Sequence, residues 1–390
     1  MAVQQGYGKM AGTDALVFAY DTGDVVNSYK GEPTENLLND TTEFDSWTKA
    51  RNSGTTPTVT SNTSPNPLGI PNAPMADTLV IPDDGTYPRI QQYFTPTSTN
   101  QHTMSVWIRS LSGDCDCFLG IFRNSPWSLP GHTVVSVTSE WQRFSFTMTP
   151  PDTTTHVAYI GSHDAAAQKG NTLELWGAMI EENSHKTPFT AGTRSATEGL
   201  LDLTGTTSID LSNVSFDSDA MFQLDGTDDR IIFPPGSLPT IGTNDFTLEF
   251  VCKNTRTDRY NHFFSVLDQY HISFKSYNGD GLLYVYRTSQ LSTTSSIPAY
   301  IPSRNDYYHI VAKRQGDNMQ IYINGESQGL KTGWGDVSID NNLYNSYIGW
   351  GAGTEYSGGH YAIAKIYNKA LTDAEVSANF NNYKTRFNIA

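Results

Sequence analysis

Residues 307–313 and 319–326 constrain this chain more than any other segment, because apolar and polar side chains alternate through both at period two. That spacing belongs to a strand with one buried face. Arg314, Gln315, Gly316, Asp317 and Asn318 make a polar turn between them, and Asn324 with Gly325 offers a second tight turn. The segment reads as an antiparallel hairpin within a sheet. Hydrophobic residues are only 37% of the chain, yet 32 Gly, 19 Pro and 21 Tyr point to many short strands joined by turns rather than to disorder. An all-β protein is expected, and 390 residues are enough for two domains, each with its own core.

Charge and cysteine usage exclude several classes. A formal charge of −15 with no Lys/Arg cluster repels a phosphate backbone, so nucleic acid is not expected as a partner. No charged n-region followed by an apolar h-region opens the sequence, and no run of about 18 apolar residues occurs, so neither secretion nor membrane insertion is expected. Cys115, Cys117 and Cys252 are too few for a disulfide framework, and no second Cys/His pair stands at zinc-ligand spacing. They read as small packed thiols of a protein made in a reducing cytosol.

The phrase Leu224, Asp225, Gly226, Thr227, Asp228, Asp229, the strand 245–250, the hairpin and the ending 366–376 together resemble the laminin-G-like, concanavalin-A-like jelly roll. Residues 15–24 and 27–31 resemble the opening strand and turn of the same family. The family's continuation is displaced here to 201–205 and 224–229, which implies a domain inserted after the first strand. Domain termini lie at surfaces and close together, so a compact insert enters a host loop without stretching it. The expected organisation is a docking arm at 1–10, a discontinuous sandwich at 11–31 and 196–390, and an inserted domain at 32–195.

Within the insert, 102–109, 141–148 and 173–180 each alternate around an aromatic and are separated by Gly/Pro/Ser/Asp turns, the pattern of a second antiparallel β-sandwich. Their order resembles carbohydrate-binding, galactose-binding-like jelly rolls. Near the C-terminus, Thr372 and Glu375 form a capping box, and Val376, Phe380 and Tyr383 share one face, which predicts a short helix from Thr372 to about Arg386 docked on the sandwich.

The nearest approach to a retaining-glycosidase strand is Glu43, Asp45 and Thr48, which puts Thr where the acid belongs. No Gly-x-Ser-x-Gly elbow occurs, and His309 inside a strand reads as a packed residue. His163 and His360 sit in polar, Gly-rich surroundings where a histidine can touch a ligand, although an exposed loop histidine is the default. Asp225, Asp228 and Asp229 in one short loop match the oxygen shell of Ca²⁺, with Asp21 and Asp24 near enough in the fold to join, although Asp and Gly stabilise such turns unaided. In the insert, the resemblance implies Asn39, Asp40, Glu43 and Glu174 as a structural Ca²⁺ set. Sugar binding needs aromatic faces and planar polar groups, and the turn-borne aromatics are Trp47, Trp127 and Tyr87 in the insert and Trp334, Trp350 and Tyr356 in the host, with Glu355 beside the last. Trp107, Trp141 and Trp176 lie on strands and read as core. Taken whole, the sequence resembles tailed-bacteriophage virion proteins. That resemblance implies a non-enzymatic head decoration or fibre component on the virion surface, present in many copies, docked on other virion subunits through its arm and attached to host-surface glycans. The alternative on the same scaffold is a glycan depolymerase.

Overall fold

The computed structural model describes residues 13–217, 221–256, 261–266, 272–276, 282–287, 296–300, 306–335, 338–351 and 353–389. The expected arm at 1–10 lies outside them. The fold is mostly β, in antiparallel sheets, with a helix near the C-terminus. Two compact units form: one from the described residues up to Pro33, Ser195–Asp217 and those from Met221 onward, the other from Thr34–Arg194.

In the discontinuous unit, the strand Leu16–Asp21 pairs antiparallel with Gly358–Tyr367, Phe18 opposite Ile366 and Tyr20 opposite Ala364. On the other side of Gly358–Tyr367 lie, in order, Phe246–Asn254, Tyr308–Gln315, Asn318–Ile323 and Glu326–Lys331. Gln315 faces Asn318 and Arg314 faces Met319, which places the first hairpin turn at Gly316 and Asp317. At the second, Asn324 and Gly325 have φ of 51° and 79°, the pair of left-handed residues that matches the twist of two-residue hairpins. A facing sheet is built from Ile231–Phe233, Ser346–Ile348, Asn261–Val266, Ile272–Ser276, Leu282–Arg287 and Ser296–Tyr300. Phe18, Phe250, Ile310 and Ile321 from the first sheet meet Phe233, Phe263 and Ile348 from the second. Phe18 and Phe233 make an edge-to-face contact with centroids 5.3 Å apart.

The outer side of the first sheet is covered by α1 (Asp373–Phe387). Its start is fixed by the reciprocal cap: the Thr372 hydroxyl accepts from the Glu375 amide, and the Glu375 carboxylate accepts from the Thr372 amide at 2.8 Å. Val376 packs with Val311, Tyr322 and Tyr367, while Tyr383 packs with Val251 and Ile363. Sheet positions that period two assigns to solvent are thereby buried. Glu249 sits fully buried, its carboxylate 2.7 Å from His309 Nε2, and it accepts hydrogen bonds from the Tyr367 hydroxyl at 2.6 Å and from Asn379 of the helix at 3.2 Å. Burial pushes the Glu249 carboxyl up, but the His309 and Tyr367 hydrogen bonds and the nearby Lys365 charge outweigh it and hold it below the usual glutamate range.

The contiguous unit is a second sandwich. One sheet orders Gln142–Met148, His102–Ser110, Thr172–Glu181, Ala76–Val80 and Thr58–Ser64; the other orders Thr48–Ala50, Arg89–Phe94, His156–Gly161, Cys115–Arg123 and Ser128–Val137. Val106, Ile108, Leu173 and Leu175 pack against Ile90, Leu119, Ile121 and Ile160 between them. The three cysteines are free thiols, and burial pushes that of Cys117 up to about 12.

Two outcomes are expected at Glu249. Replacing it with Ala removes the acceptor that His309, Tyr367 and Asn379 share and costs about 3–5 kcal/mol in urea unfolding. Because its folded pKa is depressed, its contribution is present above the ordinary value of 4.5 and is lost as pH falls through the lower folded value. Melting temperature therefore declines below about pH 4.5, and Glu249→Gln flattens that part of the curve.

Candidate functional site

The strand Cys115–Arg123 carries two apolar faces. Cys117, Leu119 and Ile121 point into the core, and the alternate positions Phe118 and Phe122 lie on the opposite face of the sheet. Register places Gly161 opposite Phe118 and Val157 opposite Phe122 on one neighbour, and Gly120 opposite Tyr159. On the next strand Gln91 faces Tyr159, Arg89 faces Gly161 and Tyr93 faces Val157. One outer surface thus brings together Phe118, Phe122, Tyr159, Arg89, Gln91 and Tyr93.

Rings stack on this platform in sequence. His163 lies flat on Phe118 with centroids 4.6 Å apart, and His132 stacks on the same ring at 5.4 Å. Trp127 stacks on Phe122 at 4.8 Å and an interplanar angle of 21°, yet remains 56% exposed. Tyr87 meets His163 edge-on at 5.0 Å, and the Arg89 guanidinium lies 5.3 Å over the Tyr159 ring. Gly120 permits the arrangement, since a β-carbon there would lie 2.6 Å from the Phe118 ring. Tyr87 and Asp164, flanking His163, hold left-handed backbone with φ of 55° and 69°, a sparsely populated state for residues with side chains. Arg89 donates to Gln91 Oε1 at 2.7 Å and to the Tyr87 carbonyl at 3.0 Å, so the polar rim is pre-oriented. Aromatic faces beside fixed planar donors and acceptors are what a saccharide requires.

A second, smaller cluster sits in the discontinuous unit. Trp350 meets Tyr347 edge-on at 4.5 Å and lies 6.2 Å from Tyr356, while Arg230 lies over both Trp350 and Tyr356 and donates to the Tyr356 hydroxyl at 2.7 Å. Glu355 is bound to the buried His262, 2.9 Å from its Nε2. Arg256 joins this loop to the acidic turn, donating to the carbonyls of Tyr356 and Gly226.

In that turn Asp225, Asp228 and Asp229 place ligand oxygens within 4.8 Å of one another. Asp225 Oδ1 accepts from the Thr227 amide at 2.6 Å, and the Asp229 carboxylate accepts from the Asp225 and Ser215 amides, which is turn chemistry. Burial pushes the Asp229 carboxyl up, a tendency a cation would oppose, and the Asp228 carboxylate makes no hydrogen bond among the described residues. The all-oxygen donor set suits a hard ion.

Other expected residues fall elsewhere. Trp47 and Trp334 are each 2% exposed and belong to the two cores, Trp47 drawn in by its indole donating to the Asp40 carbonyl at 2.7 Å; neither can stack on a ligand. Asp21 pairs with Arg386 and Asp24 caps the amides of Val26 and Asn27, so neither joins the acidic turn. Asn39, Asp40, Glu43 and Glu174 do not converge: Asn39 and Asp40 bond Gln92, Glu43 is exposed, and Glu174 lies in the other sheet, bound to Arg109. Trp176 is buried, but Trp141 is partly exposed beneath Arg109 rather than core, and Trp107 is also only partly buried. Trp127, Tyr87 and His163 are the sequence candidates that the platform gathers; Phe118, Phe122, Tyr159, Arg89 and His132 were not singled out by sequence.

Residues 225–377 match the family model of the concanavalin A-like lectin/glucanases superfamily, so the discontinuous unit carries a concanavalin-A-like jelly roll. No curated protein sequence matches the chain. Similar solved structures include the binding domain of Paraclostridial Mosquitocidal Protein 1 (20% identity, 47% of this chain and 49% of that one, TM-score 0.38). Others are the receptor binding domain of botulinum neurotoxin D (13%, 49% and 51%, TM-score 0.38) and domain 4 of an extracellular arabinanase from Geobacillus stearothermophilus in complex with arabinotriose (19%, 44% and 80%, TM-score 0.34). The chain spans about half the length of the first two.

Gly120→Ala tests how the platform is built. It is expected to cost about 1–3 kcal/mol by forcing Phe118 and Phe122 apart, and to shift the ring-current-displaced NMR signals of His163, with CD of the sheet unchanged.

Proposed function

We propose that this chain is a non-enzymatic structural protein of a bacteriophage particle, a head decoration or fibre component, that holds host-surface glycans on the aromatic platform of its contiguous unit. The observation that carries the glycan reading is the exposed Trp127 seated on Phe122 beside Phe118, Tyr159, Arg89 and Gln91. Pyranose C–H faces stack on such rings while the planar side chains take the hydroxyls. The Trp350 and Tyr356 loop is a second contact of the same chemistry. Display in many copies on one particle turns two weak sites into firm attachment.

Placement on a virion rests on the sequence resemblance of residues 15–24, 27–31, 201–205, 224–229 and 370–375 together with the inserted jelly roll, and the partners it implies are other virion subunits. The non-enzymatic reading is supported by the state of the acids near the platform: Asp164 is ion-paired with Lys169 at 2.6 Å, and Asp84 accepts from Thr55. Ca²⁺ at Asp225, Asp228 and Asp229 is proposed as a structural ion.

Multimerised protein on a glycan array is expected to retain a defined set of saccharides, and Trp127→Ala to weaken retention at least about tenfold with the fold intact by CD. Absence of binding by the wild type removes the adhesin role; release of reducing ends from a bound polysaccharide would replace it by a depolymerase. Mass spectrometry and immunogold labelling of purified particles test the virion placement. For the ion, Ca²⁺ at a hundred times its Kd adds about 2.7 kcal/mol to stability, read as a melting shift that EGTA reverses and Asp228→Asn abolishes.

A further inference from the structure

Resting on the glycan reading of the platform, we infer that the saccharide it takes is acidic, a sugar whose carboxylate or sulfate is gripped by Arg89. Arg89 opens the strand Arg89–Phe94 and lies on the platform side of the sheet, opposite Gly161, where no side chain separates it from the ring floor. Its charge sits over Tyr159, and three neighbours fix its plane: Nε donates to Gln91, while one terminal nitrogen donates to the Tyr87 carbonyl and reaches Asn52 Oδ1 at 3.4 Å. All three partners are neutral. The guanidinium also hydrogen-bonds the side chain of Tyr159, again a neutral partner, and no carboxylate lies within ion-pair distance of it among the described residues.

That is an unusual state in a chain with 40 acidic and 25 basic residues, where an anion is the easier partner to find. The acids around this rim are committed elsewhere, Asp164 to Lys169 and Asp84 to Thr55. A guanidinium that no carboxylate neutralises, already oriented by neutral neighbours, is better matched by a carboxylate or sulfate than by a hydroxyl. The net charge of −15 does not cancel this preference, because at physiological salt fields fade over about 8 Å and the local cation decides. Stacking supplies affinity for the ring, and Arg89 selects among rings by their substituent.

The test measures binding of the full chain to oligogalacturonate and oligoalginate, each beside its carboxyl-reduced form, and to chondroitin sulfate oligosaccharides beside their desulfated form. The wild type is expected to favour the anionic member of a pair, and added salt to weaken that member alone. Arg89→Gln should lower affinity for it by about 10- to 100-fold and weaken the neutral member too, through lost hydroxyl contacts, but by at least about fivefold less. Arg89→Lys, which keeps the charge without the fork, should fall between. Preference within the carboxylate pairs or within the sulfate pair tells which anion is read. Equal wild-type affinity across every pair, or an equal loss for both members in Arg89→Gln, overturns the acidic-glycan inference and leaves the platform as a neutral-sugar site. No binding to any member by the wild type, or binding that Trp127→Ala leaves untouched, overturns the platform reading itself.

Discussion

The pairing of Leu16–Asp21 with Gly358–Tyr367 is the constraint on which the discontinuous unit depends. It joins segments from opposite ends of the sequence, and it sets Phe18 against Phe233 at the centre of the core. Loop-closure entropy grows only slowly with length, so a strand can be separated from its partner by a whole folded unit at modest thermodynamic expense. The same connection leaves Thr34–Arg194 as an unbroken stretch with a core of its own.

Much of the fold was legible because its strongest signals are local. Alternation through 307–326, the left-handed pair at Asn324 and Gly325, and the Thr372 and Glu375 cap each encode their structure within a few residues. What sequence did not reveal needs a second element to decide it. In Cys115–Arg123 both faces are apolar, so Phe118 and Phe122 read as core until the register shows Cys117, Leu119 and Ile121 already filling it. Glu249 falls where a strand alone would send it to water, and the docked helix covers it. Trp47 looks like a loop aromatic from its turn-rich flanks, yet the short 3₁₀ turn at Phe44–Ser46 folds it inward.

The candidate sites divide in the same way. Trp127 and Tyr87 were readable because turn residues surround them, whereas the floor they border is made of strand residues that no turn signal marks. Metal ligands were the least legible. Carboxylates close in sequence, Asp225, Asp228 and Asp229, do converge, but those assembled from distant segments, such as Asp40 with Glu174, are claimed first by Gln92 and Arg109. Which cation or amide reaches an acid first is decided by the fold, not by the acid's own neighbours in the chain.

The left-handed backbone at Tyr87 and Asp164 has a consequence for anyone improving this protein. Such conformations cost about 1–3 kcal/mol each, so selection for heat resistance would favour glycine or asparagine at both positions. Tyr87 braces His163, and replacing it would loosen the edge of the ring floor while raising the melting point. A thermostabilised descendant of this chain would thus gain shelf life and lose the brace on His163, so Tyr87 trades heat resistance for a rigid ring stack.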